Sequence, residues 1–274
     1  MGTALTERLL EAGYEVVVFN RTREKATRLL AQGARWSDNP LTECDRVLIS
    51  LFNSDTVEEV LNQLGSVLRP GQVLIDTTTG SPEQTELLGQ ALAARGVIYL
   101  DAPISGSSEQ TRRGDVTIIV GGEPASFEAC RDLFEHCGRT TIYAGRCGSG
   151  SRMKLVTNLV LGLNRAALAE GLVFAEALGI DPSAALQVLS NSIAYSRTMD
   201  TKGQKMIEGD FRVQARLAQH AKDVRLILEA ATRAGQALPL SETHLTLLNK
   251  AEQAGFGDAD NSAVIQAYRA AKRA

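Results

Sequence analysis

The feature that most constrains the fold of this 274-residue chain is a change of hydrophobic period near residue 150. Before that point, short apolar runs rich in β-branched residues alternate with stretches of helical period. Nearly continuous apolar runs are typical of strands that are covered on both faces, and their alternation with helices indicates βαβ units. After Gly150 the strand-like runs disappear. The sequence therefore predicts a mostly parallel, doubly wound α/β domain followed by an all-helical domain.

These periods predict particular elements. Six strands are expected in the first part, at 15–20, 46–51, 72–77, 97–101, 116–120 and 141–143. Helices are expected between them at 23–32, 55–65, 82–94 and 123–137, and in the second part at 151–179, 182–190, 214–234, 240–254 and 262–272. Helix 151–179 is apolar around much of its circumference, so other helices of its own domain or of a partner chain must cover it. The predicted domains are 1–147 and 148–274.

Composition and charge exclude several classes of protein. The net charge of -3 has no basic block within it, so we expect no nucleic-acid partner. Residues 3–11 form an amphipathic segment and not a signal peptide. The sequence has no uninterrupted run of about 18 apolar residues, so we expect no membrane span. The four cysteines form no CxxC pair and favour free thiols in a reducing cytoplasm over a metal or redox site; they are Cys44, Cys130, Cys137 and Cys147.

The first residues fit the end of a nucleotide-binding fingerprint. A dinucleotide-binding unit begins with a strand, continues through G-x-G-x-x-G and opens a helix. Met1 and Gly2 match the end of that pattern, with Gly2 as its last glycine. We therefore expect the sequence to lack roughly ten residues of a complete fold, including the first strand and two phosphate-loop glycines. A wrongly assigned start codon is the simplest explanation.

A polar triplet ends the first predicted strand, where such proteins bind the adenosine ribose. It consists of Asn20, Arg21 and Thr22. An acidic residue here would favour NAD, whereas Arg21 can pair with a 2′-phosphate and Thr22 can donate to it. We therefore expect NADP rather than NAD. The triplet could instead serve only to cap helix 23–32 through Thr22, a role compatible with phosphate binding.

The strongest chemical signal lies where the two parts meet. Lys154 and Asn158 are four residues apart, so they project from one face of the predicted helix. The helix dipole opposes a lysine near the N-terminus and favours a lowered pKa, which suits a proton donor or acceptor. Such a pair is more often an ordinary surface pair, but clefts between domains are where substrates bind. Ser151 is a candidate cap for this helix.

Three further loops carry polar groups. Ser105, Gly106 and Ser107 follow a strand that ends at Asp101 and can offer N–H groups and hydroxyls to an anion, although a plain turn would use the same residues. Thr79 can face a nicotinamide, or the hydroxyls there can cap the helix that follows. Lys222, adjacent to Asp223, is either a solvated charge or a group that reaches the cofactor.

Taken together, these motifs resemble the β-hydroxyacid dehydrogenases, the group that includes 3-hydroxyisobutyrate dehydrogenase and the glyoxylate/succinic semialdehyde reductases. The resemblance extends from residue 1 to about residue 268. It rests on the set Met1-Gly2, Asn20-Arg21-Thr22, Asp76 to Pro82, Asp101 to Gly106, Gly148 to Gly150, Lys154, Asn158 and Lys222-Asp223. It implies an α/β Rossmann domain whose first strand is missing here. It also implies an all-α domain of the 6-phosphogluconate dehydrogenase type, with a long interdomain helix and a homodimer or higher homo-oligomer formed through it.

The resemblance also implies roles for individual residues. Lys154 would be the catalytic acid/base, and Asn158 would orient it and the substrate. Ser105, Gly106 and Ser107 would bind the substrate carboxylate. The cofactor-binding residues would be Met1, Gly2, Asn20, Arg21, Thr22, Leu51, Phe52, Asn53, Thr79 and Lys222. Ser107 stands where the family often has a second glycine.

These roles predict hydride transfer between NADP(H) and a short β-hydroxy acid or its aldehyde or keto counterpart. Two alternatives remain at this stage. One is a non-catalytic NADP-binding or scaffold protein, which the incomplete fingerprint favours but the complete set of site residues opposes. The other is an enzyme like the imine reductases, which resemble this fold but generally lack the lysine found here as Lys154.

Overall fold

The computed structural model describes residues 1–270 and separates into two compact units. Unit 1 is Met1–Lys154, and unit 2 begins at Leu155. The predicted domain division at 147/148 lies a few residues earlier, at the turn before the long helix. Unit 1 contains all the strands that the structure describes. The predicted class, a mostly parallel Rossmann-type sheet followed by a helical domain, is confirmed.

The strands of unit 1 lie close to the apolar runs that predicted them. They are β1 (Val17–Val18), β2 (Arg35–Trp36), β3 (Arg46–Ile49), β4 (Val73–Asp76), β5 (Ile98–Asp101), β6 (Ile104–Ser105), β7 (Thr117–Gly121) and β8 (Thr140–Gly145). Strands β3, β4 and β5 pair in parallel, as do β7 and β8, whereas β7 runs antiparallel to β5 and β6. The predictions missed β2 and β6, because two residues are too few to establish a period of two.

These strands form two sheets. Strands β1 and β2 pair in parallel as a two-stranded sheet, and the other six form the order β3-β4-β5-β7-β6 with β8 on β7. Within the described residues no strand pairs with β1 other than β2, or with β3 other than β4. The expectation that a first strand is missing from the fold stays a prediction.

The helices of unit 1 differ in how they begin, and three of them have a side-chain cap. They are α1 (Gly2–Glu11), α2 (Thr27–Ala31), α3 (Ser54–Leu64), α4 (Pro82–Ala93), α5 (Ser108–Arg112), α6 (Pro124–Ala129) and α7 (Arg131–Cys137). Asn53 and Ser81 cap α3 and α4 by accepting the N–H of the residue three positions on. The single helix predicted over 123–137 is wrong, because the backbone leaves the helical region at Cys130. Helix 23–32 is likewise shorter, with a 3₁₀ turn at Arg23–Ala26 preceding α2.

All four cysteines are free thiols. Burial raises the pKa of each one: that of Cys137 to about 11, that of Cys147 to about 12, and those of Cys44 and Cys130 by smaller amounts. The sulfur of Cys147 lies where Gly89 has no side chain, since a Cβ built there would stand 2.6 Å from it. The expectation of structural thiols therefore fits their surroundings.

Unit 2 is helical throughout its described part. Its helices are α8 (Ser149–Ala177), which starts in unit 1, then α9 (Pro182–Ser190), α10 (Gln204–Glu208), α11 (Leu217–Arg233), α12 (Pro239–Ala251) and α13 (Ile265–Arg269). The predicted helix 182–190 is confirmed residue for residue, whereas α10 was not predicted. Helix 262–272 begins instead as a 3₁₀ turn, Asn261–Val264, and its predicted end at Lys272 lies outside the described residues.

Helix α8 is long and apolar enough, by length and composition alone, to cross a membrane. The sequence did not predict it, because polar residues interrupt the apolar run of this helix. Three of those, Lys154, Asn158 and Arg165, are buried within the protein. Core helices of globular proteins share this composition, and buried polar side chains fit a helix packed against protein.

A buried carboxylate joins three segments of unit 2 that lie between its helices. Asp260 is fully buried, and both of its oxygens accept from the Lys202 ammonium, at 2.8 and 2.9 Å. It also accepts from the backbone N–H groups of Gln214, Ala215 and Ser262. Burial alone would raise the pKa of Asp260, but Lys202 and these donors lower it to about 2. The ionised form is therefore the one that the fold stabilises.

We expect Asp260→Asn to lower the free energy of unfolding by about 3–5 kcal/mol, because Lys202 would remain buried without a counter-charge. The pKa of Asp260 is lower in the folded than in the unfolded chain. Its stabilisation is therefore present above the ordinary carboxyl pKa and is lost as the pH falls through about 2. Urea unfolding of Asp260→Asn and of Asp258→Asn, an exposed control two residues away, checks this. Equal stability of the two variants would contradict it.

Candidate active site

The first turn of α8 is anchored to the sheet by the carboxylate of Asp101. This residue ends β5, is 1 % exposed, and accepts from the backbone N–H groups of Gly148 at 2.9 Å and Ser151 at 2.7 Å. Burial raises the pKa of Asp101 to about 6, and the two N–H donors oppose that shift. The prediction that Ser151 caps α8 is wrong, because the helix already begins at Ser149. The carboxylate of Asp101, at the end of β5, is the acceptor that caps the helix instead.

Glycines make this close approach possible. A Cβ on Gly150 would stand 2.6 Å from the carbonyl oxygens of both Asp101 and Ile119, and one on Gly121 would stand 2.4 Å from Oδ1 of Asp101. Gly148, with φ of +87°, turns the chain into the helix in a conformation that other residues rarely adopt. The glycines at the start of α8 are therefore a packing requirement of the anchor.

Lys154 and Asn158 lie on one face of α8, in its first turns, as predicted. Lys154 is 7 % exposed and Asn158 is 6 % exposed, so neither belongs to an ordinary solvated pair. Asn158 donates from Nδ2 to Oδ2 of Asp223 on α11, at 3.0 Å. This bond fixes the amide orientation and leaves the Asn158 carbonyl oxygen as the acceptor at the other end of the amide. The lowered pKa expected for Lys154 stays a prediction.

Asp223 links Asn158 to Lys222. Its Oδ1 lies 3.0 Å from the Lys222 ammonium while its Oδ2 holds Asn158. The side chain of Asp223 is 11 % exposed and that of Lys222 is 19 % exposed, so the solvated alternative for this pair is wrong. The sequence showed Asp223 only as a neighbour of Lys222. Its contact with Asn158 joins two helices and had no signal in the sequence.

Two polar loops follow β3 and β4 side by side. The N–H of Leu51 donates to the hydroxyl of Thr78 at 3.1 Å, and Ser54 lies so close to Gly80 that a Cβ there would clash with its hydroxyl. Asn53 caps α3, and the Phe52 ring beside it is 58 % exposed. The partly buried Thr79 lies in the second loop. The predicted cofactor residues Leu51, Phe52, Asn53 and Thr79 thus share one region of unit 1.

The predicted carboxylate loop is partly used by its own helix cap. Ser107 caps α5: its hydroxyl accepts from the N–H of Gln110, and its own N–H donates to the Gln110 side chain. Gly106 has a φ of +154°, and a Cβ there would stand 2.4 Å from Val116. The Ser107 N–H is therefore engaged in this conformation, which leaves its hydroxyl proton and the Ser105 hydroxyl as groups suited to an anion.

The remaining predicted cofactor residues lie at a helix start and after a strand. Helix α1 begins at Gly2, and Met1, at the N-cap position, makes no side-chain cap. Gly2 lies against Ser50, the residue after β3, so the positive end of the α1 dipole is next to the end of that strand. Asn20 donates to the carbonyl of Thr22, and all three residues of the Asn20-Arg21-Thr22 triplet are exposed. Thr22 makes no side-chain cap, so the capping alternative lacks its hydrogen bond.

This donor set fits a dinucleotide phosphate. An uncapped helix start is suited to a pyrophosphate, and an exposed arginine after a strand is suited to a further phosphate. The residues therefore define, as a class, an NAD(P)-dependent oxidoreductase with a helical second domain.

Comparison with known proteins identifies the family. Residues 1–145 match the NAD-binding domain of 6-phosphogluconate dehydrogenase, and residues 148–268 match the NAD-binding domain of NADP-dependent 3-hydroxyisobutyrate dehydrogenase. The chain belongs to the β-hydroxyacid dehydrogenase family. It is an NAD(P)-dependent enzyme of the dehydrogenase and reductase class that acts on hydroxy acids at the CH–OH group.

Individual relatives agree with this assignment. The chain is 32 % identical to 2-(hydroxymethyl)glutarate dehydrogenase of Eubacterium barkeri, over 98 % of this chain and 91 % of that protein. It is 29 % identical to the chloroplastic glyoxylate/succinic semialdehyde reductase 2 of Arabidopsis thaliana, over 99 % and 78 %. The Mycobacterium tuberculosis 3-hydroxyisobutyrate dehydrogenase structure with L-serine superposes with a TM-score of 0.90 at 25 % identity, over 98 % and 96 %.

One relative has a name of another kind. The human cytokine-like nuclear factor N-PAC is 28 % identical over 98 % of this chain and 50 % of its own length.

Two glycines of α8 provide a direct check on the Asp101 anchor. We expect Gly150→Ala to lower the free energy of unfolding by about 1–3 kcal/mol, because its Cβ meets two carbonyl oxygens. Gly171→Ala is the matched control in the same helix. No atom lies within 4 Å of its Cβ position, and alanine is the better helix former by up to about 1 kcal/mol. Thermal unfolding of both variants measures this. A Gly150→Ala protein as stable as Gly171→Ala would show that the contact is not tight.

Proposed function

We propose that the protein is an NADP-dependent oxidoreductase of a short β-hydroxy acid and its aldehyde or keto counterpart. The observation that carries the proposal is the buried lysine of α8, one turn before an asparagine whose amide Asp223 holds in one orientation. An ammonium kept from water at the start of a helix suits proton transfer better than surface charge pairing.

The residues of unit 1 support NADP over NAD. Bound NADP(H) would supply or accept the hydride. The N-terminus of α1 at Gly2 would hold its pyrophosphate, and Arg21 with Thr22 would hold the 2′-phosphate. Asn20, the second residue after β1, is not a carboxylate, so nothing at that residue repels the phosphate. The family match over residues 148–268, to an NADP-dependent enzyme, points the same way.

The chain's own residues would then handle the proton and the substrate. Lys154 donates a proton to the substrate oxygen in reduction and accepts it in oxidation. The Asn158 carbonyl oxygen, turned away from Asp223, orients that ammonium or the substrate hydroxyl. The hydroxyls of Ser105 and Ser107 donate to the substrate carboxylate. Burial of Lys154 keeps water from competing for the proton.

Helix α8 supports self-association. On neighbouring turns of its first half, four large apolar side chains are more than two-fifths exposed: Met153, Val156, Val160 and Leu161. An apolar stripe of this kind marks an interaction surface, and we propose that a second copy covers it in a homodimer or higher homo-oligomer.

A non-catalytic NADP-binding role is the second candidate, since one relative, the cytokine-like nuclear factor N-PAC, has a name that is not that of an enzyme. It predicts nucleotide binding without turnover. The burial of Lys154 and Asn158 side by side opposes it, because acid/base chemistry requires such a pair and nucleotide binding alone does not. The same lysine opposes the imine-reductase alternative.

Lys154→Ala is expected to lower kcat by at least about 100-fold, since it removes the acid/base group. Lys154→Arg should fail similarly, because a guanidinium does not release its proton near neutral pH. Steady-state kinetics with NADP(H) and a panel of short hydroxy acids and aldehydes measure this, with Lys250→Ala on α12 as an exposed control. Near-normal turnover of Lys154→Ala would refute the role, and binding without turnover in the unaltered protein would favour the second candidate.

Arg21→Ser should raise the KM for NADPH by about 10-fold or more and leave the KM for NADH nearly unchanged, because a hydrogen bond to a charged group is worth about 1.5–3 kcal/mol. Lys25→Ala, exposed four residues later, controls for a general loss of positive charge. Equal effects on both cofactors would show that Arg21 does not read the 2′-phosphate.

A further inference from the structure

A cation–π contact lies at the carboxyl edge of the two-stranded sheet of unit 1. The guanidinium carbon of Arg23 lies 5.1 Å from the centre of the Trp36 ring. Trp36 is the last residue of β2 and pairs with Val18, the last residue of β1, so both strands end at the same level. The Asn20-Arg21-Thr22 triplet begins two residues beyond β1, and Arg23 directly follows it. The contact therefore adjoins the segment that we propose for the 2′-phosphate of NADP.

The Trp36 ring is held in place by its surroundings. Its indole N–H donates to Oδ1 of Asp38 at 2.8 Å, and the ring of Phe19 lies 5.8 Å from it, centroid to centroid. Part of Trp36 packs against a buried apolar cluster to which β1 and α2 contribute. The rest is accessible, since Trp36 is only half-buried. An ordered ring with an open side gives the guanidinium of Arg23 a defined position.

Arg23 keeps its hydrogen-bond donors while it lies against the ring. An aromatic face attracts the charge of an arginine without using up its five N–H donors. Within residues 1–270, Arg23 forms no ion pair with a carboxylate. The other arginine that lies over a ring in this part of the chain is Arg131, 5.4 Å from the centre of Phe127, and two hydrogen bonds of 2.7 and 2.9 Å pair it with Glu128. Arg23 is therefore the one whose donors suit an external anion.

Arg21 and Arg23 together match the charge of a phosphate monoester. Both are exposed, and Thr22 between them has extended backbone, with φ of -109° and ψ of 101°. Side chains two residues apart in extended backbone lie on the same side of the chain. The side chain of Asn20 donates to the carbonyl of Thr22 at 2.7 Å, which holds the segment in shape. A phosphate monoester offers three terminal oxygens and nearly two negative charges, enough for two guanidinium groups.

We propose that Arg23 is a second residue that binds the 2′-phosphate of NADP(H), and that Trp36 is a positioning residue that holds Arg23 beside the end of β2 before the cofactor binds. The inference rests on the proposed function, in which NADP is the cofactor and Arg21 with Thr22 contacts its 2′-phosphate. Contact with the ring reduces the conformational entropy that a long exposed side chain loses on binding. The expected effect is on the selectivity for the cofactor and not on the transfer of hydride or proton.

Two nucleotides that differ only in the 2′-phosphate test the role of Arg23. Adenosine 2′,5′-bisphosphate carries that group, and adenosine 5′-monophosphate lacks it. Arg23→Met is expected to raise the Kd for the bisphosphate at least about 10-fold, since hydrogen bonds to a charged group are lost, and to leave the Kd for the monophosphate nearly unchanged. Titration calorimetry measures both constants. An unchanged Kd for the bisphosphate would overturn the proposal.

Arg131→Met is the matched control. It removes an exposed arginine of the same unit that also lies over an aromatic ring, on α7. We expect it to change neither Kd. A loss of bisphosphate affinity as large as that of Arg23→Met would show a general effect of positive charge and would overturn the assignment to Arg23.

Variants of Trp36 test its positioning role. Trp36→Leu is expected to lower the preference for the bisphosphate by about 2- to 5-fold, the loss that corresponds to an exposed cation–π contact. Trp36→Phe retains an aromatic face and should keep most of the preference. A tryptophan with a purely structural role would weaken the binding of both nucleotides equally in Trp36→Leu, and that result would overturn its positioning role.

Trp36 also provides an optical readout, because it is the only tryptophan in the sequence. Adenosine 2′,5′-bisphosphate is expected to change its fluorescence emission in the unaltered protein, since the guanidinium over the ring turns towards the phosphate. Adenosine 5′-monophosphate should cause a smaller change, and Arg23→Met should abolish the difference. An equal change with both nucleotides would place adenine rather than the 2′-phosphate beside the ring, which would overturn the proposal.

The same titrations separate this inference from the proposed function. If Arg21→Ser abolishes the preference for the bisphosphate and Arg23→Met does not, NADP remains the cofactor and only the role of Arg23 is overturned. If the unaltered protein binds both nucleotides equally, the preference for NADP is itself overturned, and the role of Arg23 with it. Loss of the preference in both variants would support both proposals.

Discussion

The hydrogen bonds between one buried carboxylate and the start of one helix position the residues that we propose for the chemistry of this protein. Asp101 ends a strand and accepts two backbone N–H groups from the first turn of α8, so sheet and helix meet at a fixed point. Glycines surround that point because carbonyl and carboxylate oxygens fill the space of their side chains. Lys154 lies within the next turn and Asn158 one turn further. The anchor therefore sets the position of the helix turns that carry both residues.

The sequence predicted the fold wherever a pattern was long enough to repeat. The alternation of apolar runs and helices located six strands within a few residues, and the Asp-Pro start of α9 located that helix completely. Elements of two residues, such as β6, carry no period. The break at Cys130 also escaped prediction, since nothing in the apolar pattern of 123–137 distinguishes one helix from two. Tertiary packing decides such details, and periodicity does not report it.

The candidate site was predictable to the extent that its residues lie near one another in sequence. Lys154 and Asn158 share a helix, so their spacing alone placed them on one face. Asp223 is 65 residues from its partner Asn158, and no local pattern links them. Burial also escaped prediction: Arg165 of α8, outside the candidate site, lies among apolar helical residues and is buried, although the sequence alone does not distinguish it from an exposed arginine. The predicted carboxylate-binding loop shows the opposite case. Its sequence is suited to an anion, but the N–H of Ser107 donates to the side chain of Gln110 in the cap of its own helix.

The burial of the four cysteines affects how readily the protein reacts with oxidants in the cell. A thiol reacts with peroxide or disulfide mainly as its anion, and in all four cysteines burial raises the pKa, in Cys147 to about 12. Their sulfurs thus stay protonated across the physiological range. We therefore expect these four thiols to react slowly with oxidants, so that the redox chemistry of the protein depends on bound NAD(P) rather than on its cysteines.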